Sequence, residues 1–148
     1  MVFLPVEINS AIRAAVSNSV VHNRVYAGGI PTFTTLKRVN GAVLPYIICR
    51  WYLPDLYGAK GFDGARGDTW RMRFDVLSIA ADEDSAYVQG LKVLKELAGF
   101  FPVGGCSQVT VSPGSATYTV QNSNDDPAAY VAPMQFFVTF GPLDTESI

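Results

Sequence analysis

Charged residues are scarce in this sequence. Asp, Glu, Lys and Arg make up 16% of it, against about 25% in ordinary soluble domains. The 11 basic and 13 acidic residues leave a formal net charge of -2, so no basic excess exists to hold phosphates and a grip on duplex nucleic acid is not expected. Histidine occurs once, at His22, and reads as a surface or capping residue at a helix end. Cys49 and Cys106 have no Cys-x-x-Cys spacing and read as buried thiols of a reducing compartment, not a disulfide or metal pair. No segment approaches the roughly 20 apolar residues that span a bilayer. The start, MVFLPVEIN, lacks the positive region and long apolar stretch of a signal peptide. HExxH, GxSxG, Walker A and strand-following GxGxxG motifs are absent as well. The acidic clusters at Asp82 to Asp84 and Asp125-Asp126 lack EF-hand spacing and read as a helix start and a turn. We therefore expect a chain that is not an enzyme, with no catalytic residues, no cofactor and no metal.

What is present points to a packed domain that assembles. Hydrophobic residues make up 49% of the 148, including seven Tyr and nine Phe. That length buries a core as one domain, 1–148, without staples. So few charges leave part of the surface poorly suited to water, which favours cover by neighbouring subunits.

The organising stretch runs from Thr69 to Phe101. Trp70, Met72, Phe74 and Val76 alternate with Arg71, Arg73 and Asp75, the period-two mark of a half-buried strand. From Val76 to Ala81 both faces turn apolar or small, as in a strand covered on both sides. Asp82 or Asp84 then suits a helix start, where carboxylates accept from free amides and meet the positive dipole end. Hydropathy places Tyr87, Leu91, Leu94 and Ala98 on the packed stripe of the helix, Val93 and Leu97 beside it, and Gln89, Lys92 and Glu96 on the wet side. Gly90 falls among the packed positions, as room for close approach to a sheet or as a tolerated small residue.

Around this unit, a first helix is expected from Asn9 or Ser10 to Val20, with a start just after Pro5 as the alternative. A short strand follows at Arg24 to Tyr26, and Thr32 to Val39 leads into Asn40-Gly41, a hairpin signal. Tyr46 to Tyr52 is nearly continuous in apolar and aromatic residues, as in a central strand with helices on one face and the other face open to cover by a neighbouring subunit. Ser107 to Val111 and Ala116 to Val120 read as a hairpin around Ser112-Pro113-Gly114-Ser115. Asn122 to Pro127 reads as a polar loop, Met134 to Phe140 as a last strand opened by Pro133, and 142–148 as a loose tail. The fold class is α+β: a mixed, mostly antiparallel sheet with two helices on one face.

Residues 54–68 form the most unusual segment, with glycines at 58, 61, 64 and 67. A collagen reading fails for want of triplets and proline, and Arg66-Gly67-Asp68 is a tripeptide common by chance. The segment reads as a long, flexible projecting loop, of a length that is usually functional or disordered. Tyr57, Phe62 and Arg66 in it, with Arg71 and Arg73 on the following strand, are the candidate interface residues. The two strand arginines also fit a merely solvated face.

The order of these elements carries a resemblance. A helix with Ala11-Ile12-Arg13-Ala14-Ala15 and an Arg24-Val25-Tyr26 strand come first; Leu44-Pro45-Tyr46-Ile47-Ile48 then opens a strand. A Phe74-Asp75-Val76 strand runs into a helix, and a closing Gln135-Phe136-Phe137-Val138 strand ends the pattern. This resembles the tail terminator, or tail completion, proteins of long non-contractile-tailed bacteriophages over nearly the whole chain, through short strings and no diagnostic motif. The resemblance implies a non-enzymatic virion subunit in a homo-oligomeric, hexameric ring at the head–tail junction. Such a ring caps the tail tube protein, stops tube growth and meets the head completion or connector protein, while DNA passes through its lumen without specific binding. The 32–43 hairpin and the glycine-spaced loop depart from the family's compact pattern. A head–tail connector, a tail tube subunit and a cellular ligand-binding domain are the alternatives.

Overall fold

A computed structural model describes residues 4–17, 24–27, 38–39, 42–56, 69–112, 114, 116–120 and 129–141. Two helices lie on one face of a seven-stranded mixed sheet. Helix α1 spans Leu4–Val16 and α2 spans Glu83–Leu97. The sheet holds β1 (Val25–Ala27), β4 (Tyr46–Trp51), β5 (Asp55–Leu56), β6 (Trp70–Ala80), β7 (Thr110–Val111), β8 (Tyr118–Val120) and β9 (Ala129–Phe140). Its order is β1-β4-β6-β9-β7, with β5 also on β6 and β8 also on β9. Among the described residues, only the β1–β4 pair is parallel. A separate ribbon pairs β2 (Arg38–Val39) with β3 (Ala42–Val43), Val39 opposite Ala42, a register with two residues between the strands as the Asn40-Gly41 signal predicts.

The alternation along β6 sorts its side chains as expected. Met72, Phe74, Val76, Ser78 and Ala80 face the helices and are buried. Met72, Phe74 and Val76 meet Ile8, Ile12 and Val16 of α1 and Val93 and Leu97 of α2 in the main core, while Ala80 packs with Ala86 and Ala132. Three rings cross the sheet within it: Trp51 stacks on Phe74 at 4.6 Å and Phe74 on Phe136 at 5.3 Å, each pair directly opposite in register. The far half of β6 is buried on both sides. On the other face, Leu77 and Ile79 join Tyr46, Ile48 and Val131 in a second cluster, edged by Tyr26 against the Tyr46 ring. That cluster is covered within one chain, so this part of the sheet needs no neighbouring subunit.

Several elements depart from the sequence reading. Helix α1 starts at Leu4, earlier than Asn9 and close to the alternative start after Pro5, because Pro5 in the first turn needs no amide partner there; the expected end at Val20 lies outside the described residues. Helix α2 is capped by Asp82, whose carboxylate accepts from the Ser85 amide at 2.8 Å. Its packed stripe is Ala86, Gln89, Gly90, Val93 and Leu97, so Tyr87 and Leu91 point outward and Gln89 inward. Gly99 follows with φ of 77°, a left-handed residue that ends the helix.

The largest correction concerns 107–120. β7 and β8 do not pair with each other; both pair with β9. From Val111 to Tyr118 the chain advances seven residues, while the partners Phe136 to Val131 span five. β7 and β8 therefore run in the same direction along one edge of β9, and the chain does not reverse between them as a hairpin would; Pro113 and Ser115 lie outside the described residues. Strand β9 accordingly begins at Ala129 and holds Pro133 in its interior. The Ser107 amide donates to Thr139 O at 2.8 Å and the Ser112 amide to Gln135 O at 2.9 Å, so these alternate residues turn their backbone groups toward the edge. Pro133 shares their parity. Its missing N–H falls between the β7 and β8 pairings, and the β6 ladder loses no donor.

Candidate functional site

Of the candidate interface residues, Arg71 and Arg73 lie on the face of β6 turned away from the helices; Tyr57, Phe62 and Arg66 lie outside the described residues. Strands β5 and β9 bring partners to the two arginines that composition alone does not assign. Arg71 donates to both carboxylate oxygens of Asp55, at 2.9 and 3.5 Å, and its guanidinium lies 5.9 Å from the Phe137 ring. Arg73 reaches Asp55 at 3.9 Å. The Arg71 hydrogen bond holds the Asp55 carboxyl below the usual carboxylate range.

Asp75 centres the adjoining network. It accepts from Arg50 at 3.3 Å, the Tyr52 hydroxyl at 2.8 Å and Gln135 Nε2 at 3.3 Å. The hydrogen bond to that carboxylate pushes the Tyr52 phenol up from its ordinary value. Alternation places Arg71, Arg73 and Asp75 together, but finding Arg50, Tyr52 and Asp55 opposite them requires the strand register. The arrangement is a cross-strand ion lattice, with Arg50 and Arg73 half-exposed at its surface. It offers charge and hydrogen bonds to a partner surface.

A second surface is apolar. On the outward side of α2, Tyr87, Val88 and Leu91 are 56%, 48% and 45% exposed. At the corner after β4, Leu53 is 92% exposed beside the half-exposed Tyr52. A cleft of about 400 Å³ between the start of α2 and the β1 and β4 ends is lined by Arg24, Pro45, Asp84, Ser85, Val88, Gln89 and Lys92. Arg24 there donates to Pro45 O at 2.7 Å and Gln89 to Tyr46 O at 3.0 Å, so the groups at its floor are engaged in holding the fold.

Both cysteines are free thiols. Cys49 is sealed in the core, and burial pushes its thiol up to about 12 despite the opposing charge of Arg13. Cys106 is partly exposed and donates to Val103 O at 3.0 Å. Among the described residues no three His, Cys, Asp or Glu side chains converge as a metal site, and no helix is long and apolar enough to cross a membrane. His22 lies outside the described residues.

A scan against protein-family models and a search of curated proteins both find no match. Among solved structures, the chain is similar to one described as "Virion of native gene transfer agent (GTA) particle", at a TM-score of 0.54 and 14% identity. The likeness covers 94% of this chain and 95% of that one. At that identity it establishes a shared α+β fold over nearly the whole of both chains.

Proposed function

We propose that this chain is a structural subunit of a phage-like virion, and within that class a tail terminator. The observation that carries the first step is the end-to-end fold match to a chain of a gene transfer agent virion, with almost nothing left over on either side. The second step rests on the order of elements described above. In this reading the subunit is non-enzymatic and sits at the head–tail junction. It forms a hexameric ring that caps the tail tube, halts its growth and receives the head connector protein. DNA crosses the lumen without specific binding, which a net charge of -2 favours over a basic wall. Tyr57, Phe62, Arg66, Arg71 and Arg73 are then contacts to neighbouring proteins of the particle.

The test is a particle preparation lacking this protein. A terminator predicts overlong tubes and unjoined heads, restored by supplying the protein, and one labelled ring per particle at the head end of the tail. Label repeated along the tube would identify a tube subunit. Normal tube length with empty, unjoined heads would identify a connector.

A further inference from the structure

We propose that the cleft between α2 and the start of β4 recognises an acidic peptide segment of another protein, one that presents a carboxylate together with a backbone N–H. Its two cations come from different elements, Arg24 from the residue before β1 and Lys92 from the third turn of α2. Neither is in an ion pair, since those of the described residues all belong to the lattice on β6. Arg24 is fixed from behind: its Nε donates to Pro45 O at 2.7 Å, and its carbonyl accepts from the Ile47 amide at 3.0 Å. The terminal amino groups of that guanidinium have no partner among the described residues, so they stand oriented before a ligand arrives.

Gln89 supplies an acceptor. It is only 7% exposed and lines the same cleft, yet both its bonds leave from Nε2, to Tyr46 O and to the Ser78 hydroxyl. Its Oε1 accepts nothing among the described residues, and a bound N–H would satisfy it. This combination selects the ligand. Arg24 and Lys92 suit an anion, through charge-assisted hydrogen bonds, while Oε1 requires a donor beside it. A phosphodiester offers oxygens alone and leaves Oε1 unpaired; a peptide bearing Asp or Glu offers both groups. Asp84, at the other end of the lining, sets the orientation. It stands eight positions before Lys92 on α2, about 12 Å along the axis, so the bound carboxylate lies toward Lys92 and the peptide donors toward Asp84. A cleft of about 400 Å³ takes a short segment, not a folded domain. A second copy is a poor source among the described residues. The strand acids Asp55 and Asp75 are already bonded, and the other acids cap or lie on helices. The virion reading enters only in naming the partner as a protein of the particle.

A nuclear magnetic resonance titration of the full chain with the blocked peptide acetyl-Ala-Asp-Ala-amide tests the site. Saturable shifts of the Gln89 side-chain amide and the Arg24 Nε–H are expected. Binding should weaken at least about tenfold when Asn replaces Asp in the peptide, and likewise with Lys92→Glu at an unchanged thermal midpoint. Asp84→Asn should leave the affinity equal or greater. An Asn peptide that binds as well, weaker binding with Asp84→Asn, or a duplex oligonucleotide that binds there in place of the peptide overturns the proposal. In intact particles, a carbodiimide joins an amine to a carboxylate in contact with it. Mass spectrometry should then find Lys92 linked to an Asp or Glu of a different protein. No link at Lys92, or links within this chain and its copies alone, overturns the assignment of the partner. The terminator reading fails separately, on tube length in the particles.

Discussion

Gln89 of α2 donates through Nε2 to the Ser78 hydroxyl of β6 at 2.8 Å, inside the helix–sheet interface. The Ser78 hydroxyl in turn donates to Ala86 O at 2.8 Å, and Gln89 also donates to Tyr46 O at 3.0 Å. One buried amide thus fixes a helix to two strands. Gln89→Leu leaves the Tyr46 carbonyl without that donor and should cost about 1–3 kcal/mol, whereas Ser78→Ala should cost about 1 kcal/mol. Urea unfolding of the single and double variants checks this. Fully additive losses would mean that the Gln89–Ser78 bond contributes nothing.

The same bond explains why the face of α2 was illegible in the sequence. Hydropathy weights Tyr87 and Leu91 and discounts Gln89, Ala86 and Gly90, yet the second set is buried. A polar side chain whose donors are satisfied costs little to bury, and small residues let a helix lie close to a sheet. Period and burial along β6 were legible because strand alternation leaves only two faces to choose from. Pairing partners were not: the Ser112 to Ser115 string looks like a hairpin turn, and only the register shows that β7 and β8 both pair with β9. The ion lattice was half legible, since Arg71, Arg73 and Asp75 alternate locally while Asp55 and Arg50 arrive from other strands.

Gly90 was legible, and its surroundings give its variants opposite signs. A Cβ built there would sit 3.6 Å from the Ala132 Cβ and 3.7 Å from the Met134 side chain, ordinary contact distances. Gly90→Ala should therefore raise stability by about 0.5–1 kcal/mol through lost chain entropy in the unfolded state. Gly90→Leu overfills the gap and should cost about 1–3 kcal/mol. Thermal midpoints that move together would contradict this packing.

The two thiols should behave differently toward an alkylating reagent at neutral pH. Cys49 is fully buried, with its thiol held up near 12, so it lacks both access and thiolate. Mass spectrometry should find Cys106 modified in the native protein and Cys49 only after denaturant. Rapid native labelling of Cys49 would show that the α1 side of the core opens readily.

Asp55 provides a pH-dependent contribution. Its folded carboxyl lies below its unfolded value, near 3.9. The stabilisation is therefore complete above that value and is lost as pH falls through the lower folded one. Being a surface pair, it is worth no more than about 1 kcal/mol. Asp55→Asn should be less stable than wild type at neutral pH, and the two should converge as the pH falls through the lowered folded value. A gap that persists undiminished in acid would point to packing instead of charge.

The β5–β6 pairing dictates how the glycine-spaced segment can be removed. Leu56 and Trp70 are direct partners across the antiparallel ladder, and Asp55 stands opposite Arg71. Residues 57–69 can thus be replaced by a two-residue Asn-Gly turn, whose twist suits two such strands. Every cross-strand bond described for Arg71, Arg73 and Asp75 is retained, so the shortened chain should fold with little change in midpoint. What it loses are Tyr57, Phe62 and Arg66, aromatic and guanidinium groups of the kind that anchor interfaces. We expect the shortened protein, supplied to particles lacking their own, to leave overlong tubes and unjoined heads. Normal tails from a stably folded shortened protein would remove those three residues from assembly and leave the contact role to the ion lattice on β6.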